Sequence, residues 1–151
     1  MEFYKSCDYD NRANIHPAIF GKVFWPFLYY TAWSYPKENP SHCLQEKFRE
    51  LFENLKYYLP CEKCRAHFMQ NVQKNPVKNH LKNRETLLRW IVNLESTINK
   101  SLGKSPVYYN QVYEKLNLET NIQSKNMEVI KPIVIIGLIA GGYYLYKKYN
   151  K

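Results

Sequence analysis

The sequence predicts an all-α protein: a four-helix bundle plus a short fifth helix, with a C-terminal transmembrane helix. Three observations carry this. Apolar residues recur at three- and four-residue steps through successive stretches, the period of a helix face. No stretch shows a comparable strand-like alternation, and only 5 Gly among 151 residues argue against a turn-rich all-β chain. Near the C-terminus an uncharged run, "PIVIIGLIAGGYYLY" at 132–146, stands between lysines.

Residues 1–15 are polar and irregular and read as a mobile arm carrying Cys7. They hold no apolar run, so no cleavable signal segment is expected. The folded domain is expected over 16–116. Its first helix lies in "HPAIFGKVFWPFLYYTAWSYP", where Phe24, Leu28, Thr31 and Ala32 share a face beside Trp25. Pro17 suits a helix start, Pro36 stops one, and Pro26 is placed to kink it. After "PKENPSH" a second helix carries Phe48, Leu51, Phe52, Leu55 and Tyr58 on one stripe and ends at Pro60. A third runs from about Cys61 to Gln73, with Phe68 and Val72 inward. The fourth, "RETLLRWIVNLESTINKSLGK", repeats Leu87, Leu88, Ile91, Leu94, Ile98 and Leu102, and Gly103 is a natural stop. A short fifth helix covers about 107–116, and 117–131 reads as a polar linker.

The 132–146 run is short for a membrane span, which needs about 20 residues. Flanking Lys131, Lys147 and Lys148 can snorkel, and its tyrosines suit an interfacial belt. A single-pass anchor is the expectation, with a buried core helix as the alternative.

The net charge of +9 invites a nucleic-acid reading, but no run of Lys or Arg exceeds Lys147-Lys148 and no recognition motif is present. No nucleic-acid partner is therefore expected. Neither a G-x-G-x-x-G nor a Walker A loop occurs.

The chemistry concentrates in "YYLPCEKCRAHF", which holds Cys61 and Cys64. A structural zinc site needs four ligands, and here one pair stands with only His67 close by. Inert filler is a second possibility. Redox work has a mechanism: Pro60 ends one helix, and Cys61 opens the next, where free N–H groups and the helix dipole stabilise a thiolate. On this reading Cys61 is the more exposed sulfur and Cys64 the more sheltered one. Thioredoxin-like chemistry is excluded by the lack of a βαβ pattern.

Three ordered blocks carry a likeness. "GKVFWPFLYYTA", "LPCEKCRAHF" and "WIVNLESTINKSLGK" follow G-R-x-x-W-x-x-L-H-x-x-A, P-C-x-x-C and W-x4-H-N-x-V-N-x-x-L-x-K in turn. Over about residues 15–110 the chain resembles the Erv/ALR family of FAD-linked sulfhydryl oxidases, especially the short forms of large DNA viruses. Tyr29 stands where the family has His, and Glu95-Ser96 replace its His-Asn pair.

The resemblance implies a thiol oxidase in which Cys61 exchanges with substrate and Cys64 lies against the flavin. It implies FAD lined by Gly21, Lys22, Trp25, Tyr29, Glu95, Ser96, Asn99, Lys100, Leu102 and Lys104. No metal is expected, because the cysteine pair lacks the further ligands of a zinc site. Thiol-containing protein substrates and a homodimer follow. A lone C-terminal apolar segment inserts only after synthesis, so the domain is expected to face the cytosol; the resemblance adds a virion or host cell membrane as its setting and Cys7 as a candidate shuttle. The alternative from another class is a non-enzymatic membrane-anchored helical adaptor with a C-x-x-C metal or structural site.

Overall fold

The structure, a computed structural model, describes residues 12–123 together with 125, 145, 146 and 149. Cys7, residues 124 and 126–131 of the expected linker, and the expected anchor at 132–146 apart from Leu145 and Tyr146 lie outside them. Every regular element among the described residues is helical. The chain divides into two compact units after Val112.

The first unit contains α1 (Pro17–Ser34), α2 (His42–Tyr58), α3 (Glu62–Lys74), a 3₁₀ turn (Val77–His80) and α4 (Arg84–Ser101). Each start has a local cause. His16 caps α1, its Nδ1 accepting from the Ala18 N–H at 3.2 Å, and Pro17 at the first position needs no N–H partner. Ser41 caps α2 through its hydroxyl. Asn83 and Thr86 form a capping box on α4, each side chain serving the other's backbone N–H. Gly103, at φ 67°, adopts the left-handed turn that ends α4, where an L side chain would be strained. Pro26 leaves α1 unbroken to Ser34.

α1 packs on α4 and α2 on α3, while the 3₁₀ turn joins α2 to α4. Their common core holds Leu28, Ala32, Phe52, Leu55, Phe68, Val77, Leu87, Leu88 and Ile91. Rings lock it: Tyr35 lies 4.5 Å from Phe48, and Phe52 meets Trp90 edge-on at 5.4 Å. The polar tips find partners, as a dry interior requires. The Tyr35 hydroxyl donates to the Leu81 carbonyl at 2.9 Å, and Trp90 Nε1 donates to the Asn75 carbonyl at 2.8 Å.

The expected stripe on α2 is narrower than its periodicity suggests. Phe52 and Leu55 are buried, but Leu51 and Tyr58 face outward, because α3 and the turn cover only one side of α2. On α4, Leu87, Leu88, Ile91 and Leu94 are core, whereas Ile98 is half-buried and Leu102 is exposed.

A fifth helix, α5, covers residues 109–123 and begins within the first unit. It extends through 117–123, which composition marks as linker. Within the second unit, the Thr120 hydroxyl donates to the Leu116 carbonyl at 2.8 Å, and Lys115 and Glu119 stand 4.0 Å apart at helical i,i+4 spacing. No helix among the described residues is long and apolar enough to cross a membrane.

Candidate functional site

Pro60 leaves α2, and Cys61 occupies the N-cap of α3 in extended conformation. The Cys64 N–H donates to Cys61 Sγ at 3.2 Å, so this sulfur sits where α3 has unpaired donors and positive dipole. Cys61 and Cys64 are joined in a disulfide. Arg65, itself buried, donates to the Leu59 carbonyl at 2.9 Å and braces the turn carrying the pair. The N-terminal segment crosses the same turn, the Ile15 N–H donating to the Pro60 carbonyl at 2.8 Å.

The expected order of exposure is reversed. Cys61 is 6% exposed and Cys64 is half-buried. Capping draws Cys61 down against the helix start, while Cys64 stands one turn along on the wall of a cavity.

That cavity has a volume of about 850 Å³. Pockets that hold drug-sized ligands span roughly 300–1,000 Å³. α1 supplies Phe20, Gly21, Lys22, Phe24 and Trp25; α3 supplies Cys64, His67 and Phe68; and α4 supplies Glu95, Ile98, Asn99 and Leu102. Phe24 meets Trp25 edge-on at 5.2 Å, giving the wall a rigid aromatic face. A Cβ at Gly21 would meet no atom within 4 Å, so backbone lies bare there. Lys104 closes one side, placed by the α4 stop, where its N–H donates to the Asn99 carbonyl at 2.8 Å.

Of the residues singled out from sequence, Gly21, Lys22, Trp25, Glu95, Asn99, Leu102 and Lys104 line this cavity with both cysteines. Three do not. Lys100 is exposed. The Ser96 hydroxyl donates to the Val107 carbonyl at 2.6 Å and accepts from the Val107 N–H at 3.0 Å, tying down the chain that returns past Lys104. Tyr29 lies behind the wall, its hydroxyl donating to Glu95 Oε2. Burial drives the Glu95 carboxyl above the usual carboxylate range, and the Tyr29 hydrogen bond draws it part of the way back. Burial, then the neighbouring carboxylate, raises the Tyr29 phenol well above its ordinary value.

Sequence reasoning missed His16, Phe20, Phe24, Ile98 and His67 on this wall. Helical spacing offers a signal for two of them: His67 is three residues beyond Cys64, and Ile98 three beyond Glu95. Among the described residues no group of three or more His, Cys, Asp or Glu is placed to hold a metal.

Residues 22–118 match the Erv1/Alr family. The chain belongs to that family.

Among relatives of this Erv1/Alr member, the Probable FAD-linked sulfhydryl oxidase R368 of Acanthamoeba polyphaga mimivirus is 29% identical over 101 residues, 66% of this chain and 70% of that protein. The FAD-linked sulfhydryl oxidase ERV1 of Arabidopsis thaliana is 32% identical over 84 residues, 56% of this chain but 42% of the plant protein. The crystal structure of the yeast Erv1 core shares the fold, with a TM-score of 0.62 at 22% identity over 70% of this chain and 86% of that one. So does the FAD binding domain of Erv1 from Saccharomyces cerevisiae, with a TM-score of 0.62 at 22% identity over 68% of this chain and 94% of that one.

Proposed function

We propose that this chain is an enzyme, an FAD-linked thiol oxidase that makes disulfides in protein substrates. The observation that carries this reading is a disulfide at a helix N-terminus on the wall of an aromatic cavity. The cavity suits FAD on three counts. Its volume is adequate, Phe20, Phe24 and Trp25 offer flat apolar surface, and Lys22 and Lys104 can meet a diphosphate.

Substrate thiolate attacks one sulfur of the Cys61–Cys64 bond, forming a mixed disulfide and releasing the other cysteine as thiolate. A second substrate thiolate then attacks the mixed disulfide. The substrate leaves oxidised, and both cysteines are left reduced. Following the family resemblance, Cys61 exchanges with substrate and Cys64 faces the cofactor. The N–H donated to Cys61 Sγ favours the thiolate form of that residue. Both cysteines line the cavity, and Cys64 is the more exposed of the two. When bound, FAD supplies the two-electron acceptor that restores the disulfide and passes electrons to oxygen, for a net 2 R–SH + O₂ → R–S–S–R + H₂O₂.

A homodimer is part of the proposal. α1 exposes Ile19, Val23, Phe27 and Tyr30 along one face, a row of large apolar side chains that solvent does not favour. The uncharged 132–146 run and its flanking lysines support a C-terminal membrane anchor, and a role in oxidising virion proteins accords with the mimivirus relative.

The test is the visible spectrum of the purified chain, followed by oxygen uptake with a dithiol. A flavin spectrum that bleaches with dithiol and recovers in air is the expected result. A colourless protein that takes up no added FAD would refute the proposal.

A further inference from the structure

Glu95 is a half-buried carboxylate on the cavity wall and enters none of the ion pairs among the described residues. Its one hydrogen-bond partner among them is the Tyr29 hydroxyl, on Oε2. An ionised carboxylate has about four acceptor positions, so Glu95, on the cavity wall, keeps acceptor capacity beyond the Tyr29 bond. Such a group repels a diphosphate, for which Lys22, Lys63 and Lys104 stand elsewhere on the wall. It attracts a neutral donor, and a hydrogen bond to a charged, partly desolvated acceptor is stronger than one between neutral groups.

We propose that Glu95 is the acceptor for a neutral N–H or O–H donor of bound FAD, and that Tyr29 acts on the cofactor only by orienting Glu95. This rests on the FAD reading above. The donor belongs either to the adenosine half (the amine or ribose hydroxyls) or to the flavin half (the ring imide or ribityl hydroxyls). Tyr29 is thus a positioning residue. Removing its donor leaves the carboxyl to the effect of burial alone, which favours protonation and weakens the acceptor. The other titratable groups on this wall are His16, Lys22, Glu62, Lys63, His67 and Lys104.

The experiment titrates the full chain, stripped of flavin, with FAD and with FMN. Glu95→Gln keeps an oxygen for Tyr29 but turns an amide N–H toward the ligand's donor. It should weaken FAD binding about tenfold without lowering the thermal midpoint of the flavin-free protein. FMN binding unaffected by the substitution assigns the donor to the adenosine half; FMN weakened equally assigns it to the flavin half. Tyr29→Phe should weaken FAD, and the double variant should bind no worse than Glu95→Gln alone. Side-chain ¹³C resonances add a readout that a merely structural staple would not move. The Glu95 carboxyl should shift when FAD is added and titrate at higher pH in Tyr29→Phe. An FAD affinity within about twofold of wild type in Glu95→Gln overturns the proposal. Additive losses in the double variant, or an unmoved Glu95 titration in Tyr29→Phe, overturn the role of Tyr29. Wild-type protein that binds no FAD would instead refute the functional reading itself.

Discussion

A redox disulfide must open at every turnover without opening the fold. Cys61 and Cys64 are separated by 3 in sequence, so their bond closes a very short loop. Constraint of the unfolded chain by so short a loop is worth about 2 kcal/mol, against about 4.7 kcal/mol for a loop of about 100 residues. The core that holds the first unit together lies elsewhere, from Leu28 to Ile91. Replacing Cys61 with Ser should therefore cost about 2 kcal/mol, or roughly 10 °C in Tm for a domain of this size. Serine can also take over the cap that Cys61 Sγ now gives the Cys64 N–H, whereas Cys61→Ala should lose about 1 kcal/mol more. Circular dichroism melts of wild type with and without reductant, Cys61→Ser and Cys61→Ala measure these steps, with flavin content and dithiol-driven oxygen uptake read on the same samples. Folded, flavin-bearing and inactive Cys61→Ser is the expected outcome. Unfolding on reduction would make the bond structural, and retained turnover would remove Cys61 from the chemistry.

Ser96→Ala leaves the Val107 N–H and carbonyl without their partner, so Tm should fall by an amount equivalent to about 1–2 kcal/mol and FAD affinity should drop as Lys104 loosens; an unchanged melt would show that water replaces the hydroxyl fully. In the flavin-free protein the raised Glu95 carboxyl contributes stability that is fully present below the ordinary carboxylate pKa and lost as pH rises through its raised folded value. Glu95→Gln should accordingly be more stable than wild type at neutral pH, with the difference closing in acid, as denaturant melts at several pH values would reveal. Val23→Asp places a charge in the exposed α1 row and should convert a dimer to monomer in sedimentation equilibrium, while a monomeric wild type would remove that row as a dimer face.

The helices were legible because their causes are local. Apolar residues at three- and four-residue steps mark α4, Pro17 and Pro60 punctuate, and Gly103 alone among nearby residues tolerates the left-handed turn. The cysteine pair was legible for the same reason, since its spacing and helix-start position are properties of one short segment. What the periodicity could not decide was partnership. Leu51 and Leu55 look alike on a helical stripe, yet one is exposed and the other buried because neighbours cover only one side of α2. Tyr29 and Glu95 are 66 residues apart, and only the packing of α1 on α4 turns a bulky aromatic and an apparently misplaced carboxylate into one hydrogen-bonded pair. Chain chemistry thus determined the elements and the cysteine pair. Tertiary packing decided which faces are dry, which of the expected residues reach the cavity, and which, like Tyr29 and Ser96, stand behind it, because burial and hydrogen-bond partners are set by chain segments distant in sequence.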